Sequence, residues 1–127
     1  MPDAVTAGVR VTVDAEYHAE HSNPGRREWF FSYRVHIKNE SSRAVQLLNR
    51  HWVITDSAGE RQEVRGPGVV GEQPILAPGE VFSYTSFCPL STSLGAMHGT
   101  YAMRRQDGEM FDVQIPAFAL VDPSTEN

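Results

Sequence analysis

Trp29-Phe30-Phe31-Ser32-Tyr33-Arg34-Val35-His36-Ile37-Lys38 decides the class of fold. Trp29, Phe31, Tyr33, Val35 and Ile37 fall on one face of an extended chain. Phe30, Ser32, Arg34, His36 and Lys38 fall on the other. Such period-two alternation marks a strand with one buried and one wet face. Burying the large side chains of the first set contributes roughly 8–15 kcal/mol before conformational entropy is subtracted, which suits a central strand.

Working outward, Val9, Val11, Val13, Ala15 and Tyr17 alternate with polar residues and give a strand before it. Ser22-Asn23-Pro24-Gly25 separates the two with strong turn residues. Ala44 to Asp56 is a third strand whose alternation slips, with Val45 and Leu47 on one phase and Leu48, Trp52 and Ile54 on the other. A β-bulge between Leu48 and His51 reconciles the phases. Glu60 to Arg65 reads as a short polar edge strand. Pro78-Gly79 launches a strand from Val81 to Phe87, and Cys88 to Ala96 reads as irregular. Met97 to Arg105 and Glu109 to Ile115 pair across Gln106-Asp107-Gly108, since Asp-Gly between alternating runs is a hairpin signal. Pro116 is expected to end the last ladder, with Ala117 to Val121 packing back and Asp122 to Asn127 fraying. No helical stripe is present. About seven short strands in one domain predict an all-β, antiparallel two-sheet β-sandwich of immunoglobulin or fibronectin type III topology, with an up-and-down barrel as the competing architecture. The single domain spans residues 1–127, with an ordered core over about residues 9–121 and flexible termini.

The composition of the 127 residues bounds the function. A net charge of −5 disfavours nucleic-acid binding through the phosphate backbone. Val81 to Met103 lacks Asp, Glu, Lys and Arg but holds too many Ser, Thr, Pro and Gly residues for a membrane span. Met1 to Gly8 has no apolar secretory core. The single cysteine, Cys88, admits no internal disulfide. These features predict a soluble, cytoplasmic protein.

Several ordered motifs resemble the ApaG family. They are Tyr33-Arg34-Val35-His36-Ile37-Lys38-Asn39-Glu40, Leu48-Asn49-Arg50-His51-Trp52, the run from Val64 to Pro74, Leu76-Ala77-Pro78-Gly79-Glu80 and Gly99-Thr100-Tyr101. The resemblance spans about Val9 to Val121. It implies a fibronectin type III-like fold, no settled biochemical activity, and an encoded position often beside a diadenosine tetraphosphate hydrolase. An older family name implies a link to divalent-cation efflux. Similar eukaryotic domains imply protein–protein recognition.

Gly66-x-Gly68-x-x-Gly71 matches a dinucleotide-binding string. The mechanism behind that string needs a buried strand before it and a helix after it to hold pyrophosphate. Here the preceding run is polar, and Pro74 and Pro78 oppose a helix. What survives is a candidate anion-binding loop, Arg65, Gly66, Gly68 and Gly71, for phosphate, pyrophosphate or a nucleotide. The competing reading makes these glycines backbone architecture.

His18 and His21 with Glu16 and Glu20 are the one potential metal cluster, but His18 and His21 point to opposite faces if the strand continues. No metal site, cofactor or catalytic residue is assigned. Cys88, His36 and His51 lack a nucleophile–base spacing. The reading is therefore a non-catalytic protein–protein interaction module with an unidentified protein partner. Its surfaces are Arg65 to Gly79, Cys88 to Ala96, or an exposed sheet edge. Nucleotide binding and a cation-linked regulatory role are the alternatives.

Overall fold

A computed structural model describes residues 1–125. Nine strands form: β1 (Asp3–Thr6), β2 (Val9–Tyr17), β3 (Trp29–Asn39), β4 (Val45–Asp56), β5 (Arg61–Pro67), β6 (Ile75–Leu76), β7 (Val81–Leu90), β8 (Leu94–Arg105) and β9 (Met110–Val121). One sheet has the order β1-β2-β3-β7, and the other β5-β4-β8-β9 with β6 added to β4. Every pairing is antiparallel. Leaving out the short β1 and β6, this is the fibronectin type III arrangement expected from the sequence. The barrel alternative fails, because β5 and β7 are not joined.

The core lies between the sheets. Val9, Val11 and Val13 from β2 and Phe31, Val35 and Ile37 from β3 meet Leu47 and Trp52 from β4, Tyr101 and Met103 from β8, and Val113 and Leu120 from β9. Trp52 is the hub of an aromatic cluster, with its ring 5.1 Å from Tyr33, 5.9 Å from Phe118 and 6.4 Å from Tyr101. Edge-to-face packing of this kind adds to simple area burial.

The bulge in β4 falls at Leu48, between Leu47 and Asn49. Downstream of it Arg50, Trp52 and Ile54 share the inward phase. Three expectations are corrected. Pro116 does not end β9: the register slips between Met97 and Gly99, and the slack lies over Pro116 and Ala117. A bulge leaves a residue unpaired, so the missing proline N–H costs nothing there. The stretch Cys88 to Ala96 is mostly strand, since Cys88 and Leu90 point inward in β7, Pro89 points out, and β8 begins at Leu94. Its Ser, Thr, Pro and Gly content masks an intact alternation. Finally, Asp122 does not fray. It is 3% exposed, accepts from the Trp29 indole N–H at 3.2 Å, and precedes a 3-10 turn at Pro123–Thr125. The remainder of that expectation, Glu126 and Asn127, lies outside the described residues.

β1 lies ahead of Val9, where the sequence pattern begins. It packs beside β9, and Thr6 Oγ accepts from the Gln114 amide at 3.1 Å. That side of the sandwich is closed. On the opposite side the edges of β5 and β7 stay apart.

Candidate functional site

Each sheet ends there in a strand with one unpaired side. In an antiparallel ladder alternate residues exchange both backbone bonds with the neighbour, and the others face away. The Asn39 amide donates to Glu80 O at 3.0 Å, which sets the phase for β3 and β7. Val81, Ser83, Thr85, Phe87 and Pro89 therefore turn their backbone groups to the free edge. Gly68 N donates to Leu48 O at 2.8 Å and Asp56 N to Glu60 O at 3.0 Å, so Arg61, Glu63, Arg65 and Pro67 do the same on β5. The two edges differ in chemistry. β5 carries charge at alternate positions and ends in proline, the usual protection against strand addition. β7 has no charged residue from Val81 to Leu90, and its only such device is Pro89. Phe87 is 59% exposed and stacks on Phe30, with ring centroids 5.5 Å apart.

A chain of hollows starts between these edges. One of about 630 Å³ is bounded by Arg27, Ile54, Arg61, Gln62, Leu90 and Thr92, among others. The next, of about 180 Å³, is lined by Tyr33, Arg50, Trp52, Val64, Ser86 and Cys88, and it also touches Ile54. A third, of about 440 Å³, lies past the β5 edge on the outer face of its sheet, where Arg50, Arg65 and Gly66 meet Thr100, Ala102 and Asp112. Ile54 joins the first to the second, and Arg50 joins the second to the third. Arg50 was not singled out from the sequence. The signal was present, because its phase with Trp52 and Ile54 after the bulge places a guanidinium inward. A further hollow of about 580 Å³ lies by the β8–β9 hairpin. Its arginines are engaged, Arg104 with Gln46 at 3.2 Å and Arg105 with Glu109 at 3.3 Å.

The glycine string has three separate structural causes. A Cβ on Gly66 would lie 3.0 Å from both terminal nitrogens of Arg50. Gly68 has φ +62°, and a Cβ there would lie 2.3 Å from Glu72 O. Gly71, at φ +82°, forms a tight turn with Val70 at φ 44°. Val69 and Glu72 exchange backbone bonds of 2.8 and 2.9 Å across it. The amides of Gly68, Val69 and Glu72 are thus spent on carbonyls of the chain. Arg50 Nη1 donates to Pro67 O at 2.8 Å and Gly68 O at 3.0 Å, which pins the loop. Arg65 is exposed and leans toward Glu63 at 3.7 Å. After Gly71 the chain runs into β6, not a helix.

His18 and His21 do not point apart. A 3-10 turn over Ala19–His21 brings their rings to 6.2 Å, with Glu20 Oε1 3.2 Å from His18 and 3.9 Å from His21. Among the described residues no three metal-ligating side chains converge. His18 Nε2 also lies 2.7 Å from Ser32 Oγ, completing an acid–imidazole–hydroxyl line. Ser32 is only 7% exposed and lines none of the hollows described above, so the line serves to order the strand end.

Cys88 is 4% exposed, and burial pushes its thiol up to about 11. Its reaction with a thiol reagent at pH 8 is expected to run at least two orders of magnitude slower than that of an ordinary cysteine, because the thiolate is the reacting form. Urea should restore the ordinary rate, and fast labelling of the native protein would contradict the burial.

The architecture and its open side define a fibronectin type III-like β-sandwich with two unequal free edges. The chain belongs to the ApaG family: the ApaG domain model matches residues 19–105. It is 55% identical over 123 residues to Protein ApaG of Bradyrhizobium sp. (strain ORS 278), covering 97% of this chain and 95% of that one. It is 52% identical over 127 residues, the full length of both, to Protein ApaG of Anaeromyxobacter dehalogenans (strain 2CP-C). Among solved structures, the crystal structure of an ApaA protein from Bordetella pertussis aligns with a TM-score of 0.89 and 46% identity over 98% of each chain. No helix of the described residues is long and apolar enough to cross a membrane.

Proposed function

We propose that this domain is a non-catalytic protein-interaction module, placed in the cytoplasm, that receives an extended segment of a partner protein along β7. The observation that carries this reading is the contrast between the edges: β5 is guarded by charge, whereas the ten residues of β7 are not. An added strand would gain main-chain bonds from Val81, Ser83, Thr85 and Phe87, and side-chain specificity from the Phe30–Phe87 stack.

A Ser83→Pro, Phe87→Lys variant tests it. The Ser83 N–H faces the free edge, so proline removes an outward donor without breaking the β3–β7 ladder. Quantitative pull-down from the source lysate is expected to retain at least tenfold less of each specific partner, while Glu63→Ala on the β5 edge retains them all. Equal retention by the edge variant would overturn the reading. Phosphate binding by Arg65, Gly66, Gly68 and Gly71 has less support, because three amides of the loop already have carbonyl acceptors. Titration with pyrophosphate or diadenosine tetraphosphate, with and without magnesium, is expected to leave the Gly66, Gly68 and Gly71 amide resonances in place to millimolar ligand. Saturable shifts confined to that loop would reinstate it.

A further inference from the structure

Arg50 is a cation on the core-facing side of a strand. It shares its phase with Trp52, which is 3% exposed, and it is itself half-buried. None of the ion pairs among the described residues involves it. Arg105, also buried, pairs with Glu109 and has Phe111 against its guanidinium. Arg50 has only the two loop carbonyls, and both bind the same nitrogen, Nη1. Its charge reaches the interior. Burial raises the phenols of Tyr33, Tyr84 and Tyr101, and the Arg50 guanidinium opposes that rise at all three. A partly desolvated guanidinium without an anion is costly, and its planar fork matches a carboxylate bidentately.

The hollow beside it has the complementary shape. Its walls are Trp52, Ile54, Val64, Met97 and Cys88, with the Ser86 side chain as a polar group. At about 180 Å³ it is of the size that accepts a benzene ring in an apolar protein cavity. It opens on the side where β5 and β7 stay apart.

We propose that this hollow is a binding site for a small arylalkyl monocarboxylate. The carboxylate pairs with Arg50, and the ring enters between Trp52 and Cys88. Gly66 belongs to the site, because any side chain there would displace the guanidinium. The glycine string thereby acquires a role in anion recognition through Arg50 instead of through its own amides. Phe87 borders this hollow as well as the free edge of β7, but the site itself does not require strand addition there.

The test uses 3-phenylpropionate against the full-length, isotope-labelled protein, with 3-phenylpropionamide as an uncharged probe of nearly the same shape. The acid is expected to give saturable shifts at Ser86, Cys88, Met97 and the Trp52 indole. The amide is expected to bind about tenfold to a hundredfold more weakly, the usual worth of a charge-assisted pair. Arg50→Gln should reduce binding of the acid to the level of the amide. If that variant is poorly folded, Val64→Trp, which fills the mouth from the half-buried edge strand, should abolish binding of both probes. Equal affinity for acid and amide would overturn the assignment of Arg50. Absence of shifts around the hollow at millimolar acid would overturn the site.

Discussion

Gly99→Ala is expected to cost the fold at least about 3 kcal/mol. Gly99 sits opposite Trp52 in the β4–β8 ladder, beside the slip that accommodates Pro116. A Cβ there would lie 2.0 Å from His51 O, 3.1 Å from His51 C and 3.2 Å from Trp52 Cα. All three atoms are backbone of the adjacent central strand. No side-chain rotation relieves the overlap, so the two middle strands of one sheet must separate. Overpacking commonly costs about 1–3 kcal/mol when side chains can yield. Here the cost should reach or exceed the upper end of that range, and domains of this kind have only about 5–15 kcal/mol in total. Separating β4 from β8 would also break the Trp52 packing against Tyr101 and Phe118. Urea unfolding followed by tryptophan fluorescence is the measurement, with a large fall in midpoint expected. Gly25→Ala is the control, since its nearest neighbour would be the Asn23 side-chain oxygen at an ordinary 3.5 Å, and it should change stability by less than about 0.5 kcal/mol. A Gly99→Ala protein as stable as wild type would mean that β4 and β8 do not approach as described.

The contrast between Gly99 and the glycines of the loop shows what the sequence conceals. Period-two alternation made β2, β3 and the β8–β9 hairpin legible, because burial on one face of a sheet forces that pattern. The slip in β4 was legible for the same reason, and the bulge at Leu48 lies at the edge of the predicted range. Pro116 and the run Cys88-Pro89-Leu90 misled, because a proline excludes a ladder bond only where the neighbouring strand asks for one. Which backbone positions face a free edge or a bulge depends on pairing, and pairing is not local. β1 was illegible since an edge strand with a half-exposed face need not alternate. Arg50 was overlooked for another reason: a charged residue is ordinarily read as outward, and its inward phase is visible only after the bulge is placed. The three glycines of the string serve three different neighbours, Arg50, Glu72 and a turn, so their spacing carries no common mechanism.

Asn39→Ala should be the other severely destabilising change, by about 3–5 kcal/mol, since it strands several buried polar groups at once. Asn39 is fully buried at the end of β3. Its side-chain amide donates to Arg43 O at 2.8 Å and Leu76 O at 2.9 Å, and its oxygen accepts from Ser41 N at 3.0 Å and Ser41 Oγ at 2.6 Å. Its backbone holds Gly79 and Glu80. The side chain thus joins the turn before β4 to the short β6, while the backbone, which alanine would keep, holds the approach to β7. Alanine would take a donor from the Arg43 and Leu76 carbonyls, leaving Ser41 Oγ on the former, would strip the Ser41 amide of its acceptor, and would open a cavity. Asn39→Asp separates the polar loss from the loss of volume. An ionised carboxylate would face two carbonyl oxygens, whereas the protonated acid could still donate to one of them. Its pKa in the folded state must therefore rise above the unfolded value of about 3.9. A raised acid contributes its stability below the unfolded pKa and loses it as pH rises through the folded one. The Asp variant should accordingly lie closest to wild type near pH 4 and fall progressively behind toward neutrality, while the Ala variant keeps a constant deficit. Parallel curves for Asp and Ala across that range would show that the Asn39 donors do not hold Arg43 and Leu76.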